Sequence, residues 1–291
     1  MNSRLFSLAK FIGVMVFFGA VVSGCSDEAN VSNQEKLNVE TKSKVHLENE
    51  RPAPQTLREQ GVTVLSEPSG AANEYYKIST GMDLLYLFVS KTADDFDAEA
   101  AIEKIYPSNS VQRDKKLVDL MDAYRRGDQF TKRDLVKQIA PLLRENASRF
   151  SDVSYVMVDM PNGINLGQYD FERQGFVTNN SFRGELGADN EVPYKRDSIR
   201  YPDVLGYNLS FVNAGELDLI KIPEDAARGI SKYNGGYSYN VNFRFYGFVH
   251  SVAENKLDDY RTKYVVMKIT KVELVSNLLN DPVRVLATVD L

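Results

Sequence analysis

The spacing of hydrophobic residues along the chain changes near residue 151. Before that point they recur every three or four residues, as Leu117, Met121 and Tyr124 do, which is typical of a helix with one buried face. The segment Thr80–Asp83 has the form of a capping box, with Asp in the position usually held by Glu, and it predicts a helix start. Residues 74–150 are therefore predicted to form a helical part.

After residue 151 apolar and polar residues alternate, which is the pattern of a strand with one buried face. The clearest case is the segment Tyr237–Val249, where Gly247 falls in phase with the apolar residues and predicts a bulge or a close approach of another backbone. Few helices separate these strands, which favours antiparallel pairing. The predicted fold of residues 74–291 is α+β: the N-terminal helical part is followed by an antiparallel β-sheet or sandwich over residues 151–291.

The N-terminal residues form a distinct segment. Arg4 and Lys10 precede Phe11–Val22, which is a run of twelve uncharged, mostly apolar residues. As a helix this run would rise about 18 Å, which is less than the roughly 30 Å hydrocarbon core of a bilayer. It is therefore predicted to be the hydrophobic region of a secretory signal and not a membrane span.

The run ends in Val22-Ser23-Gly24-Cys25, and Cys25 is the single cysteine of the chain. This segment resembles the lipobox of bacterial lipoproteins. The resemblance implies that residues 1–24 are a signal peptide, that Cys25 receives a thioether-linked diacylglycerol, and that the mature chain is held to the lipid bilayer through Cys25. Ser26, in place of Asp, favours export to the outer membrane, facing the periplasm. The alternative is an ordinary secretory signal that carries a cysteine by chance.

The segment that follows is poor in residues able to form a core. No aromatic residue occurs between Gly19 and Glu74, and the composition from Ser26 onward is mainly small, polar and charged. Such a segment does not bury enough apolar surface to offset its conformational entropy. Residues 25–73 are therefore predicted to be a lipidated flexible tether, with one short strand near Thr63–Leu65 that docks on the folded part.

Composition excludes several classes of site. The formal net charge of −5 disfavours nucleic-acid binding, because nucleic-acid-binding domains are usually strongly basic. One cysteine and two histidines do not make a thiolate cluster or a multi-histidine zinc centre. The sequence has no nucleophile turn and no glycine-rich phosphate loop. We therefore predict no catalytic residue, no metal site and no cofactor.

Two segments are candidates for a binding surface. The first, Tyr169–Phe176, places aromatic residues around a charged triplet, and its Tyr-Asp-Phe…Gly-Phe element resembles an uncharacterised family of bacterial envelope proteins with no assigned chemistry. The second, Thr178–Gly206, lacks periodicity over 29 residues, and loops of this length are often functional. The charged residues selected from the two segments are Asp170, Glu172, Arg173, Arg183, Glu185, Arg196 and Arg200.

Three functions are compatible with these features. The first is a non-catalytic lipoprotein that binds or supports an envelope protein or glycan. The second is a hydrolase acting on peptidoglycan or another periplasmic glycan, which requires two suitably placed carboxyl groups. The third is a carrier of a small ligand, in which the β part encloses a cavity. The anchor, the tether and the lack of a recognisable catalytic motif favour the first.

Overall fold

The structure is a computed structural model, which describes residues 61–70, 72, 74–92, 96–106, 114–160, 163–183, 197–234, 240–256, 259–276 and 282–291. The predicted signal peptide, Cys25 and most of the predicted tether lie outside the described residues. The same holds for two predicted surface residues, Glu185 and Arg196.

The described residues form five α-helices and eleven strands, together with short 3₁₀ helices. The helices are α1 (Gly81–Lys91), α2 (Ala98–Lys104), α3 (Lys115–Arg126), α4 (Gln129–Ser148) and α5 (Glu224–Asn234). The strands are β1 (Val62–Val64), β2 (Tyr76–Ile78), β3 (Tyr155–Met160), β4 (Ile164–Asp170), β5 (Gly175–Asn180), β6 (Ile199–Arg200), β7 (Tyr207–Phe211), β8 (Leu219–Lys221), β9 (Val241–Glu254), β10 (Lys263–Ser276) and β11 (Val285–Asp290). The α+β class is thereby confirmed.

The strands form two sheets. The larger sheet has eight strands in the order β2-β3-β9-β10-β7-β6, with β1 added beside β9 and β11 beside β10. The smaller sheet has the order β4-β5-β8 and is antiparallel. In the larger sheet β2 runs parallel to β3, and β7 runs parallel to β10, while the other pairs are antiparallel.

The prediction of a purely antiparallel β part is therefore wrong. Strands β9 and β10 form a hairpin that follows β7 in the sequence. The strand of this hairpin that lies beside β7 is β10 and not β9, and β10 runs in the same direction as β7. The order of helices followed by sheet also has exceptions. Strands β1 and β2 precede the helices, and α5 lies between β8 and β9. The short strand predicted near Thr63–Leu65 is observed as β1 and pairs with the C-terminal half of β9.

Helix α1 begins as the sequence predicts. Thr80 is its N-cap, and the hydroxyl of Thr80 accepts a hydrogen bond from the amide of Asp83 (3.1 Å), while the Asp83 carboxylate accepts from the amide of Thr80 (2.9 Å). The capping box is thereby confirmed. The helix buries Leu84, Leu85 and Leu87 completely. Each of these side chains contributes about 2 kcal/mol to stability through removal of apolar surface from water.

One face of the larger sheet carries the core. The ring of Phe88 in α1 packs edge-on against Tyr207 in β7, with centroids 5.8 Å apart. Further along the same sheet, Phe211 contacts both Phe182, which follows β5, and Phe245 in β9, at 5.3 and 5.5 Å. The helices and the smaller sheet thus bury different parts of one hydrophobic core. Among the described residues, none of the helices combines the length and hydrophobicity needed to cross a bilayer.

Candidate functional site

A cleft of about 970 Å³ lies where the helices meet one end of the larger sheet. We call it the cationic cleft, because five basic and three acidic side chains line it. They are Lys91, Lys104, Lys256, Arg261 and Lys263, and Asp97, Glu254 and Asp259. This local excess of positive charge contrasts with the net charge of −5 for the whole chain.

The base of the cationic cleft is formed by an ion-paired group on β9 and β10. The carboxylate of Glu254 accepts from Arg261 Nε at 2.9 Å and lies 3.5 Å from Lys263 Nζ. The Lys263 ammonium also lies 5.6 Å from the centroid of the Tyr207 ring and 6.0 Å from that of Phe88. The Lys263 side chain is only 15 % exposed, so its charge is held at the bottom of the cleft by Glu254 and the two rings.

The loop that joins β9 to β10 forms one wall. Its ends are tied by a hydrogen bond from the amide of Asn255 to the carbonyl of Thr262 (2.8 Å), and Lys104 Nζ donates to the carbonyl of Tyr260 (2.6 Å). Arg261 has a positive φ of 46°, which turns the chain back toward β10. The side chain of Tyr260 is 78 % exposed. The loop therefore holds an aromatic ring in solvent beside the basic residues.

Two ionisable groups at this cleft have a shifted pKa. Burial lowers the pKa of the Lys91 ammonium, which donates to the carbonyl of Ser151 at 2.6 Å, and the nearby Asp152 opposes this effect. Burial raises the pKa of the Tyr207 hydroxyl, and the negative charges of Glu254 and Asp97 raise it further. Tyr207 is therefore protonated and neutral at neutral pH.

A second cleft, of about 550 Å³, lies between the two terminal strands of the larger sheet, and we call it the edge cleft. Its apolar lining is Ile78, Phe182, Ile199 and Tyr201. The hydroxyl of Tyr201 donates to the carbonyl of Ile78 (3.4 Å), which connects the β6 segment to the end of β2. More than half of the lining residues come from the segment Thr178–Gly206, which the sequence singles out as a recognition element.

The floor of the edge cleft continues into an ion-pair network across the sheet. The Asp159 carboxylate lies 2.5 Å from Lys77 Nζ and 2.7 Å from Arg244 Nε, and Arg244 also contacts Glu273 at 3.3 Å. Burial by itself would raise the pKa of Asp159, but the hydrogen bonds from Lys77 and Arg244 outweigh it and hold the pKa below its usual value. Asp159 is thus a fixed negative charge at neutral pH.

The structure does not bring the predicted surface residues together. Asp170, Glu172 and Arg173 lie at the turn between β4 and β5, where the Asp170 carboxylate accepts from the amides of Glu172 (3.0 Å) and Arg173 (2.9 Å). The other end of this hairpin, at Ile164, is about 20 Å away by strand length. The turn therefore has a structural explanation, in which Asp170 closes the loop.

Arg183 and Arg200 lie near the opposite end of that hairpin. Arg183 forms an ion pair with Asp218 at 3.0 Å. Arg200 belongs to β6 and lines the edge cleft. Of the residues predicted from the sequence, the structure thus places two near the edge cleft and three at a structural turn. Glu185, Arg196 and Cys25 lie outside the described residues.

Sequence reasoning missed the cationic cleft. Its basic residues are spread from Lys91 to Lys263, and no periodic spacing connects them. The only local signal is a cluster of polar and charged residues around an aromatic one between two long strands, at Lys256–Lys263.

Comparison with known proteins gives no match, whether to a family model, to a curated protein or to a solved structure.

Proposed function

We propose that this chain is a lipid-anchored lipoprotein of the bacterial cell envelope whose folded part binds another envelope component and does so without catalysis. Two sequence features support the anchor. The segment Val22–Cys25 has the lipobox pattern, and it follows a hydrophobic run too short to span a bilayer. A diacylated or triacylated Cys25 would hold the protein durably at a membrane, since two or more acyl chains are needed for stable anchoring.

The cationic cleft supports the binding role and is the observation on which the proposal depends. Its excess of basic side chains favours an anionic partner, and the exposed ring of Tyr260 offers a flat apolar surface next to those charges. Tyrosine and arginine are enriched at recognition surfaces, and Tyr260 and Arg261 are adjacent in this cleft. The partner is therefore expected to be an envelope component that carries negative charge, either a protein or a glycan.

The anchor is tested by metabolic labelling. We expect an alkyne analogue of palmitate to label the native full-length chain, and we expect a Cys25→Ala variant to lose the label completely and to leave the membrane fraction. A Ser26→Ala variant is the matched control and should be labelled like the native chain. An unlabelled native chain recovered from the cytosol would contradict the proposal.

The binding role is tested by site-specific photocrosslinking in intact cells of the source bacterium. We expect a photoreactive amino acid in place of Tyr260 to give crosslinked products, whereas the same probe at Phe130, which is 62 % exposed on α4, gives none above background. A Lys256→Glu change should lower the yield about fivefold, because one exposed attraction becomes a repulsion.

The matched control for this change is Lys116→Glu, which alters the net charge equally on the exposed surface of α3. The control should leave the yield unchanged. Equal yields at positions 260 and 130, or equal effects of the two charge reversals, would show that the cationic cleft is not the binding surface.

A further inference from the structure

The cationic cleft has the size of a site for a small ligand. Its volume of about 970 Å³ is at the upper end of the roughly 300–1,000 Å³ that is usual for small-molecule sites. A stable contact with a folded protein instead buries about 800 Å² of surface on each partner. The lining comes from α1, α2, β1, β9, β10 and the β9–β10 loop, so a ligand is contacted from several sides. The cleft therefore favours a compact ligand or a short stretch of a chain molecule.

Two positive groups of the cleft are available to such a ligand. Arg261 is 61 % exposed, and it contacts the Glu254 carboxylate through Nε. A guanidinium has five N–H donors in a planar fork, so donors on the terminal nitrogens remain for a second carboxylate. Lys256 is also exposed, and it forms no ion pair in the part of the chain that the structure describes. The cleft thus offers a planar fork and a point charge to an anion.

Three carboxylates in the same cleft limit the charge of the ligand, because each of them repels a polyanion. Glu254 is engaged by Arg261, and Asp97 caps α2. Asp259 is exposed and has no ion-pair partner among the described residues. An ionised carboxylate accepts hydrogen bonds from hydroxyl groups. The lining therefore favours a ligand that combines a few anionic groups with many hydroxyl groups.

The ring of Tyr260 supplies a flat surface beside these charges. It is 78 % exposed, although the backbone of its loop is held in place. Lys104 Nζ donates to the carbonyl of Tyr260 (2.6 Å), and the amide of Asn255 donates to the carbonyl of Thr262 (2.8 Å). A loop that is held in advance loses less conformational entropy on binding. The face of an aromatic ring is partly negative, and it attracts the C–H groups of a sugar ring, which the neighbouring oxygens make partly positive.

We propose that the cationic cleft binds a carboxylated oligosaccharide. One carboxylate of the ligand lies on the guanidinium fork of Arg261, one sugar ring stacks on Tyr260, and sugar hydroxyl groups donate to Asp259. This inference rests on the binding role proposed above and names the chemical class of the ligand. An acidic peptide would supply the carboxylates without the sugar ring and its hydroxyl groups.

The ligand class is tested by isothermal titration calorimetry with the purified full chain in a detergent that has no sugar group. We expect saturable binding of at least one tetrasaccharide from a panel of galacturonate, glucuronate and mannuronate oligomers. The methyl ester of the same tetrasaccharide keeps every ring but removes the charge, and it should bind at least about tenfold more weakly. Tetraglutamate, which has side-chain carboxylates but no sugar ring, should be weakened similarly.

Three results would overturn the proposal. They are an ester that binds as tightly as the acid, a tetraglutamate peptide that binds as tightly as the tetrasaccharide, and a panel in which no tetrasaccharide binds. The second of these would identify the ligand as an acidic peptide.

Substitutions test the individual contacts. Arg261→Lys keeps the charge but removes the fork, and it should weaken binding of the tetrasaccharide about fivefold. The matched control is Arg126→Lys on the exposed surface of α3, which should leave the affinity unchanged. Tyr260→Ala should weaken binding about tenfold, whereas Tyr260→Phe keeps the ring and should stay within about twofold of the native chain. Equal effects of the two arginine changes, or of the two tyrosine changes, would contradict the proposed contacts.

Failure of this inference is distinguishable from failure of the proposed function. If no tetrasaccharide binds but the photoreactive residue at position 260 still gives crosslinked products in intact cells, the binding role stands and the ligand is not a carboxylated oligosaccharide. If neither experiment gives a signal, both proposals fail.

Discussion

Replacing Gly247 with alanine is expected to lower the free energy of unfolding by more than about 3 kcal/mol. A Cβ atom at this position would lie 1.9 Å from the backbone carbonyl oxygen of Lys268, and 3.0 Å from the Cα atom of Ile269. Both atoms belong to β10, which is paired with β9 over nearly its whole length and is held on its other side by β7 and β11. The clash therefore requires the two central strands to separate locally.

The control is another glycine-to-alanine change, Gly229→Ala in α5. A Cβ atom there meets nothing within 4 Å. Because alanine favours the helical conformation more than glycine does, this variant should gain about 0.5–1 kcal/mol. Urea unfolding followed by far-ultraviolet circular dichroism measures both variants. A Gly247→Ala variant within 1 kcal/mol of the native chain would show that the two strands do not approach as closely as the structure indicates.

Gly247 also illustrates what the sequence reveals about this fold. The apolar phase of the strand Val241–Glu254 is local information, and a glycine in that phase predicts the close approach that is observed. The capping box of Thr80 and Asp83 is local in the same way, because its two hydrogen bonds join residues three positions apart. Features that depend on neighbouring residues can be predicted from a single sequence.

Which strands become neighbours in a sheet, and in which direction, cannot be predicted from the residues of one strand. Nothing in the residues of β7 distinguishes a parallel partner from an antiparallel one, because the alternation of Tyr207, Leu209 and Phe211 is the same in both cases. The parallel pairing follows from the position of β10, which lies more than 50 residues further along the chain. The assumption that few crossover helices imply antiparallel pairing fails here, because the connection from β7 to β10 runs through β8, the single helix α5 and β9.

The candidate sites also differ in whether they depend on neighbouring residues or on residues distant in the sequence. The segment Thr178–Gly206 stands out in the sequence by its lack of periodicity, and part of it lines the edge cleft. The charged turn at Asp170 stands out equally, yet its carboxylate is used to close a hairpin. The cationic cleft combines residues from α1, α2, β9, β10 and the loop between them, so it exists only after the tertiary structure has formed.

The carboxylate of Asp203 is the contact through which the β6 segment positions α1, and its removal should have the second-largest effect. Asp203 is buried and accepts hydrogen bonds from the amides of Gly81 (2.8 Å) and Met82 (3.2 Å) at the N-terminus of α1. Its own carbonyl accepts from the amide of Tyr106 (2.7 Å), just beyond α2. One residue thus connects the edge cleft to two helices.

We expect Asp203→Ala to lower the free energy of unfolding by about 3 kcal/mol. It leaves two buried amide groups without an acceptor and removes a negative charge from a helix N-terminus, where it is stabilising. Asp203→Asn should cost less, because one oxygen remains to accept from Gly81. The matched control is Asp97→Ala, which removes the exposed N-cap of α2 and should cost about 1 kcal/mol.

The two aspartate variants distinguish the loss of stability caused by removing a buried hydrogen-bond acceptor from the loss caused by removing a helix cap. If capping by itself set the cost, Asp203→Ala and Asp97→Ala would have equal effects in urea unfolding, and that result would contradict the structure.

Because Asp203 follows β6 closely, its loss should also loosen Ile199–Tyr201 at the wall of the edge cleft. Faster amide hydrogen exchange in β6 and in the first turn of α1, with unchanged exchange in β9 and β10, is the expected signature.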